Sequence, residues 1–490
     1  MSENISKIKQ IHKLLKTKQI SCKELTSKYL DAIDKYNNTL GAYIKVTDEL
    51  ALNAAEKVDE KVKKGSELLP LEGIPVTLKD NISTNGIETT CCSKMLENYI
   101  PPFDATCWDI IKSQNGILLG KANMDEFAMG CSCETSRFCK TSNPHDLSRV
   151  PGGSSGGCSC AVSANLAAYA LGSDTGGSIR QPASFCGIVG FKPTYGSISR
   201  YGLLALASSL DQIGPMATSV EDASIIYDAL SIKDEKDSTC FGNVNGPTQI
   251  HLNKDINGMK IGLPKQYLEG INKDVSDSIF KAIKVYESLG AKIVPLDMPD
   301  IKYSLPIYYI LVCSEAFSNF ARLDGIRYGH RTNSYTNLEE FFSNSREEAL
   351  GEDVKRRILL GTYVLSGKNY EHYYKKALKI RETIFETFEK AFKECDIILS
   401  STVPQTAFLH NFKPEDQMEA YMTDICTVPA NIAGIPAISI PCGTDSNNLP
   451  IGMQLIGNSF CESKILNAAY KFEQATFAKN HKSINMGVNL

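Results

Sequence analysis

Between Val150 and Thr194 the chain reads VPGGSSGGCSCAVSANLAAYALGSDTGGSIRQPASFCGIVGFKPT, with two Gly/Ser clusters about a helix and a strand apart. No other stretch limits the possible folds as much. Both clusters hold too much glycine for a helix or strand interior. Glycine tolerates positive φ and lets backbone approach a ligand closely, at a cost in ordering entropy. Gly156 to about Asn165 is rich in small residues and reads as a helix, and Ala167 to Ser173 reads as a strand. About ten helical residues rise roughly 15 Å, and five or six strand residues return about 17–20 Å. A helix going out and a strand coming back therefore bring Ser154 and Ser178 to the same end of the structure.

The flanking sequence supplies the frame. Ile5, Ile8, Ile11, Leu14 and Leu15 recur at helical spacing over residues 5–18. Ser21-Cys22-Lys23-Glu24 is a capping box that opens a second helix, with Leu25, Tyr29 and Ile33 on its apolar face. A third helix is expected from Asp48 to about Lys64. Ile74 to Leu78 is β-branched and apolar, a buried strand that ends at Lys79, and Gly116 to Gly120 is a second strand, running into Lys121–Phe127. Residues 231–258 are polar and form a surface excursion. Strands follow at Met259–Leu263, Lys292–Val294, Ile397–Ser400, Ala437–Pro441 and Gly452–Ile456, with helices at about Val275–Leu289, Tyr303–Arg322 and Tyr370–Lys393. This alternation predicts an α/β fold with a mixed sheet. Ligands in open α/β sheets bind at the carboxyl ends of strands. Lys79 and Ser178 both follow strands, so Lys79, Ser154 and Ser178 are expected to converge.

Charge and cysteine usage narrow the function. A net charge of −4 offers no electrostatic case for extensive direct contact with nucleic acid. The N-terminal stretch has no apolar run of signal-peptide length and no later segment spans a bilayer, so a cytoplasmic protein without a membrane partner is expected. Sixteen cysteines include no CxxC pair, and they read as buried thiols packing as small hydrophobes.

Three chemistries compete for the glycine loops. A phosphate cradle needs GxxxxGK[ST] or GxGxxG, and neither occurs. Gly152-Gly153-Ser154-Ser155-Gly156 fits the GxSxG hydrolase elbow, but Pro151 and its polar neighbours do not make the strand that motif requires. None of His12, His145, His251, His330, His372, His410 and His481 has an informative neighbourhood. The third reading makes Ser178 a nucleophile beneath backbone N–H donors from Thr175, Gly176, Gly177 and Ser178 itself. A serine nucleophile needs a base, and without a credible histidine a neutral lysine is the available one. For Lys79 that means a pKa well below about 10.4, which burial can provide.

GGSSGG and GSDTGGSIRQPASFCGIVGFKPTYG, with LKDN upstream, resemble the amidase signature family. The resemblance implies a mixed sheet surrounded by helices and a Ser–cis-Ser–Lys triad. By motif, Ser178 is the acyl-forming nucleophile, Ser154 the bridging serine after a non-proline cis peptide, and Lys79 the base. Segments well outside the loops, among them SRYGLLALASSLDQIGPMATSVEDA, LPIYYILVCSEAFSNFARLDGIRYG and TVPANIAGIPAISIPCG, resemble one branch of that family, the A subunits of glutamyl-tRNA(Gln) amidotransferases. This implies a glutaminase of a heterotrimer. L-glutamine would be held by Tyr309, Arg357 (with Arg356 as the adjacent alternative) and Asp424. Ammonia would pass to B and C subunits that contact tRNA and use ATP and Mg, while this chain binds no cofactor or metal of its own. Whether Asp-tRNA(Asn) is also amidated depends on other components. Asp125 and Glu126 either line the site or act as local caps. Cys131, Cys133, Cys158 and Cys160 stand where serine or alanine is more usual.

The resemblance also implies one domain over 1–490: helices to about 66, a core from about 67 to 230, the polar excursion, and 259–490 completing the same sheet. The competing functions are a free-standing small-amide hydrolase and a catalytically dead scaffold. The complete Lys79/Ser154/Ser178 set argues against the scaffold, and the Arg357/Asp424 pair argues for an amino-acid substrate.

Overall fold

The computed structural model describes residues 6–412, 422–480, 484 and 486–490; His481 lies outside the described residues. The strands are β1 (Tyr43–Val46), β2 (Pro75–Lys79), β3 (Ile117–Ala122), β4 (Tyr169–Asp174), β5 (Val189–Lys192), β6 (Gln212–Ala217), β7 (Lys260–Pro264), β8 (Lys292–Leu296), β9 (Ile397–Ser401), β10 (Ala437–Thr444) and β11 (Pro450–Ile456). They form one 11-stranded sheet in the order β1-β3-β2-β4-β6-β5-β10-β11-β9-β7-β8. The helices that matter for its coverage are, in chain order, α1 (Lys7–Lys16), α2 (Cys22–Leu40), α3 (Asp48–Lys63), α4 (Thr106–Ser113), α5 (Gly156–Ser163), α6 (Arg180–Cys186), α7 (Val220–Leu230), α8 (Lys273–Ser288), α9 (Ser304–Phe320), α10 (Leu338–Ala349), α11 (Glu352–Leu365), α12 (Lys375–Ala391), α13 (Val428–Ile432) and α14 (Glu462–Asn480). The sheet is mixed, as expected of an α/β fold, and helices pack on both of its faces.

The strand sequences explain the layering. β2, β3 and β4 are buried along their whole lengths and run parallel to one another, joined by crossovers that include α4 and α5. Near-continuous apolar runs are what a strand covered on both faces requires. In β9, Ile397 and Leu399 belong to one apolar cluster and Ile398 to another; in β11, Leu455 and Ile456 divide the same way. Successive strand residues face opposite sides of a sheet, so these two clusters are the two cores. One holds Tyr29, Tyr169 and Tyr286, and the other Phe127, Phe320 and Phe388.

Local signals act as the chain predicts. Ser21 caps α2 by accepting from the Glu24 N–H at 3.1 Å, and Glu24 accepts from the Ser21 N–H at 2.8 Å. The expected helix over Tyr370–Lys393 is a π turn over Tyr370–Tyr374 leading into α12. Residues 231–258 form a largely irregular connection with one short 3-10 turn at Gln249–His251. Among the described residues no helix is long and apolar enough to cross a membrane, and no group of three or more His, Cys, Asp or Glu is arranged to hold a metal ion. All sixteen cysteines are free thiols; most are buried, and Cys139 is exposed.

Candidate active site

α5 leaves the first glycine loop and β4 returns to the second, so the two loops abut: the Ser155 N–H donates to the Ser178 carbonyl at 3.1 Å. Lys79 ends β2, beside β4, because Leu78 pairs with Leu171 in parallel register. A lysine at a strand end commonly reaches solvent, but Lys79 is fully buried. Its Nζ lies within hydrogen-bond distance of Ser154 Oγ (2.7 Å) and Ser173 Oγ (3.0 Å) and donates to the Ser173 carbonyl at 3.2 Å. Burial pushes this amine down to about 8, against the pull of Cys158, Asp125, Asp174 and Cys133. A buried amine with that proton affinity can take up and release a proton near neutral pH.

The Gly153–Ser154 peptide bond is cis. The Gly153 N–H donates to Gln181 Oε1 at 2.9 Å, and a Cβ at this position would meet Asp125 Oδ2 at 2.0 Å, so only glycine fits. Asp125 accepts from the Cys133 N–H (3.0 Å) and Thr135 Oγ1 (2.9 Å), and its own N–H donates to the Ser154 carbonyl at 3.3 Å. It braces the loop that carries Ser154. Glu126 also acts as a brace: its carboxylate accepts from Ser93 Oγ and, at 2.9 Å, from the Gly351 N–H just before α11. Burial lifts the Glu126 carboxyl to about 7, opposed by those two donors. The choice between lining and bracing thus falls to bracing for both acids.

Ser178 sits in the turn before α6 and is 9% exposed, whereas Lys79 and Ser154 are at 0%; of the three, only Ser178 keeps any exposed surface. Asp174, at the end of β4, organises the turn. It accepts from the Gly177 N–H (2.8 Å), the Ile179 N–H (3.2 Å), Asn431 Nδ2 (2.8 Å) and both sides of the Arg180 fork (3.0 Å each). Burial opposes the Asp174 charge, but Arg180, Lys192 and Asn431 outweigh it and hold the carboxyl down at about 2. This arrangement corrects one expectation. The Gly177 N–H is turned into the protein toward Asp174, so it is not an oxyanion donor. Among the described residues, no acceptor takes the N–H groups of Thr175, Gly176 and Ser178. Thr175 Oγ1 donates to Asp211 Oδ1 at 2.7 Å, and Thr427 Oγ1 to the Gly176 carbonyl at 2.6 Å, so the turn is clamped from both sides.

Arg180 is fully buried, and its fork also reaches Gln454 Oε1 at 2.5 Å and the Thr427 carbonyl at 3.0 Å. Removing one member of such a buried pair leaves an uncompensated charge, at a cost of about 3–5 kcal/mol. Arg180→Ala is therefore expected to lose about that much stability in denaturant unfolding. Arg180→Lys should recover part of it by keeping the charge without the fork. An alanine variant as stable as the parent would contradict the clamp. Asp174 and Arg180 had a detectable signature, being the only charged residues between Arg149 and Lys192.

The expected substrate residues also gather at one place. The Arg357 guanidinium, from α11, lies 5.5 Å from the centre of the Tyr309 ring on α9. Burial lifts the Asp424 carboxyl to about 7, and Arg357 is the strongest influence pulling it back down. Arg356 instead pairs with Asp353 at 2.6 Å, both half-exposed, on the outside of the helix. Tyr308 packs edge-on against Tyr309, with ring centroids 5.2 Å apart. Its ring also covers Gly176, where a Cβ would stand 2.6 Å from it. Cys131 is in the same neighbourhood: burial first, then Asp424 and Asp125, push its thiol up, while Arg357 opposes them. The Thr427 N–H donates to the Asp424 carbonyl at 3.1 Å while its Oγ1 donates to the Gly176 carbonyl, so one residue joins the Asp424 and Ser178 segments.

Four of the described histidines are engaged elsewhere. His12 meets the Glu72 carbonyl, His145 the Cys186 carbonyl, His330 meets Glu348, and His410 meets Ser142 and Glu134. GxSxG at Gly152–Gly156 is therefore no hydrolase elbow. A groove of about 820 Å³ along β1 and α3, lined in part by Lys45, Ile100 and Trp108, includes none of the site residues.

The chain is similar to known proteins over nearly its whole length. Residues 24–466 match the family model described as Amidase. The chain is 52% identical over 469 residues to the A subunit of the glutamyl-tRNA(Gln) amidotransferase of Thermoanaerobacter pseudethanolicus, covering 96% of each chain. It is likewise 52% identical over 470 residues to the protein of the same name from Carboxydothermus hydrogenoformans, again covering 96% of each. Among solved structures it is similar to the glutamyl-tRNA(Gln) amidotransferase A subunit of Thermotoga maritima, with a TM-score of 0.76 and 42% identity over 92% of this chain and 91% of that one. The native peptide amidase of Stenotrophomonas maltophilia superposes with a TM-score of 0.83 at 26% identity, covering 99% of both chains.

Proposed function

The chain belongs to the Amidase family, and from that premise we propose that it is the glutamine-hydrolysing A subunit of a glutamyl-tRNA(Gln) amidotransferase. The single observation that carries the chemistry is the buried Lys79 amine 2.7 Å from Ser154 Oγ, on a loop bonded to that of the partly exposed Ser178. The partner and the acceptor tRNA come from the relatives, which bear that name at 52% identity over nearly the whole chain.

The reaction follows from the groups present. Ser178 Oγ attacks the side-chain amide carbon of glutamine, and its proton passes through the Ser154 hydroxyl to neutral Lys79. The oxygen that becomes negative is met by the N–H groups of Thr175, Gly176 and Ser178. Lys79 returns the proton through Ser154 to the departing nitrogen, which leaves as ammonia and forms a glutamyl ester on Ser178. Water then repeats the sequence on the ester, releasing glutamate and restoring the serine. Ammonia passes to partner subunits, which activate Glu-tRNA(Gln) with ATP and Mg; this chain supplies no cofactor.

Arg357 suits the α-carboxylate of glutamine, because a guanidinium fork matches a carboxylate, and Asp424 suits the α-ammonium. Hydrogen bonds to charged groups contribute about 1.5–3 kcal/mol. Arg357→Ala is therefore expected to raise KM for glutamine by about 10- to 100-fold, whereas Arg356→Ala, at the surface, should leave it in place. Equal effects of the two would remove Arg357 from the pocket. A free-standing amidase for apolar amides would show little change in either.

The function is tested by co-expressing the chain with its partner subunits in a cytoplasmic host. The purified heterotrimer should convert Glu-tRNA(Gln) to Gln-tRNA(Gln) with glutamine and ATP. The chain alone should hydrolyse little glutamine and bind tRNA weakly at physiological salt; tight, salt-sensitive tRNA binding by the chain alone would overturn the division of labour.

A further inference from the structure

Asn81 lies two residues beyond Lys79 and is buried in the same wall of the site. Its Nδ2 donates to Ser173 Oγ at 2.9 Å, and among the described residues its Oδ1 meets no hydrogen-bond partner. Ser173 in turn offers Lys79 both its hydroxyl (3.0 Å) and its carbonyl (3.2 Å). A carbonyl only accepts, so it holds one amine N–H whether Lys79 is charged or neutral. The other two directions of the amine face the hydroxyls of Ser154 and Ser173, each of which can donate or accept. An ammonium has three N–H groups and no lone pair, and needs both hydroxyls as acceptors. A neutral amine has one lone pair and needs one hydroxyl as a donor.

Asn81 decides which state the pair of hydroxyls suits. Its N–H occupies a lone pair of Ser173 Oγ, which leaves the Ser173 hydroxyl proton to be given away, and Lys79 Nζ is within reach. Hydrogen bonds in series strengthen one another. We propose that Asn81 is a positioning residue for the base: through the Ser173 hydroxyl it directs a proton at Lys79 Nζ and so favours the neutral amine. A one-third turn about the Cε–Nζ bond then exchanges the two hydroxyls. The lone pair comes to face Ser154, ready to accept its proton, and the N–H groups face Ser173 Oγ and the Ser173 carbonyl. The inference rests on Lys79 being the base of the proposed reaction.

Other groups also act on the amine. Cys158 faces it from α5, Cys133 and Asp125 from the segment after β3, Asp174 from the end of β4 and Cys91 from the loop after β2. On the adjacent β3, Lys121 is turned to Asp80 at 3.6 Å. None of these is altered in the test. The test is the pH dependence of glutaminase kcat/KM in the co-purified complex for Asn81→Ala, Ser173→Ala and the double variant, with thermal unfolding as a check of folding.

Asn81→Ala should move the rising limb upward by about half a pH unit, about threefold in rate at neutral pH. It should cause no further shift when Ser173 is already alanine. Asn81→Asp, which keeps the volume, draws the Ser173 proton to itself and should move the limb up by about one unit or more, and by less in the Ser173→Ala background. An unmoved limb in folded Asn81 variants, or the same shift with and without the Ser173 hydroxyl, overturns the inference. Retention of the limb in Lys79→Ala would instead remove the base assignment on which it rests.

Discussion

Ser178→Ala is expected to abolish glutamine-dependent amidation while leaving ammonia-dependent amidation by the same complex near the parental rate. The expectation follows from where Ser178 stands. It alone of the three central residues keeps some exposed surface, and the other hydroxyl of the turn, on Thr175, is given to Asp211. Removing a serine nucleophile that acts with its base as a unit costs about 10⁴- to 10⁶-fold. The substitution deletes one oxygen at a position whose backbone is held by Asp174 and Thr427 rather than by its own side chain. Folding and assembly of the complex should therefore survive, so added ammonium salt bypasses the lesion. Loss of both activities would mean that the two half-reactions share a centre, contrary to the split proposed here.

Lys79→Ala should be nearly as severe, for a different reason. General-base catalysis contributes about 10²- to 10⁴-fold, and among the described residues no histidine bonds to Ser154 or Ser178. Lys79→Met keeps most of the buried volume and should be equally slow, which separates loss of the proton acceptor from loss of packing. The parent supplies the complementary measurement. Only the neutral amine can take a proton, and burial sets its pKa at about 8. Glutaminase kcat/KM should rise about tenfold per pH unit below that point and level off above it. A flat profile in the parent, or a change of only a few-fold in Lys79→Met, would discard Lys79 as the base.

The sequence revealed the chemistry better than its support. That the two glycine loops meet beside Lys79 was legible because the lengths of α5 and β4 return the second loop next to the first. Short strands were not. β5 has four residues and β6 contains Gly214 and Pro215, so neither shows the alternation or apolar run by which a strand is recognised. Their place between β4 and β10 is a long-range pairing that no local pattern announces. The direction of the Gly177 N–H was hidden for a similar reason. Four glycine-loop amides look equivalent in a line of text, and only the position of Asp174 turns one of them inward. Asn81 and Ser173 are 92 residues apart in the chain, a separation at which spacing carries no information. Arg357 was distinguishable from Arg356 only once α11 had been oriented, with one arginine over Tyr309 and the other against Asp353.

The adjacent pair Asp125 and Glu126 has a consequence for redesign. Asp125 supports the loop of Ser154, and Glu126 holds the amide that precedes the helix of Arg357. A Cβ at position 351 would stand 2.2 Å from Glu126 Oε2, so any larger residue there displaces that carboxylate. Two neighbouring carboxylates therefore brace the loop of Ser154 and the start of the Arg357 helix from one short segment. A library that reshapes the amino-acid pocket to admit another amide can vary Tyr309 or Cys131 freely, but one that loosens 125, 126 or 351 shifts the recognition helix and the catalytic loop together. New substrates should accordingly be easier to gain from the pocket's side chains than from the frame that carries them.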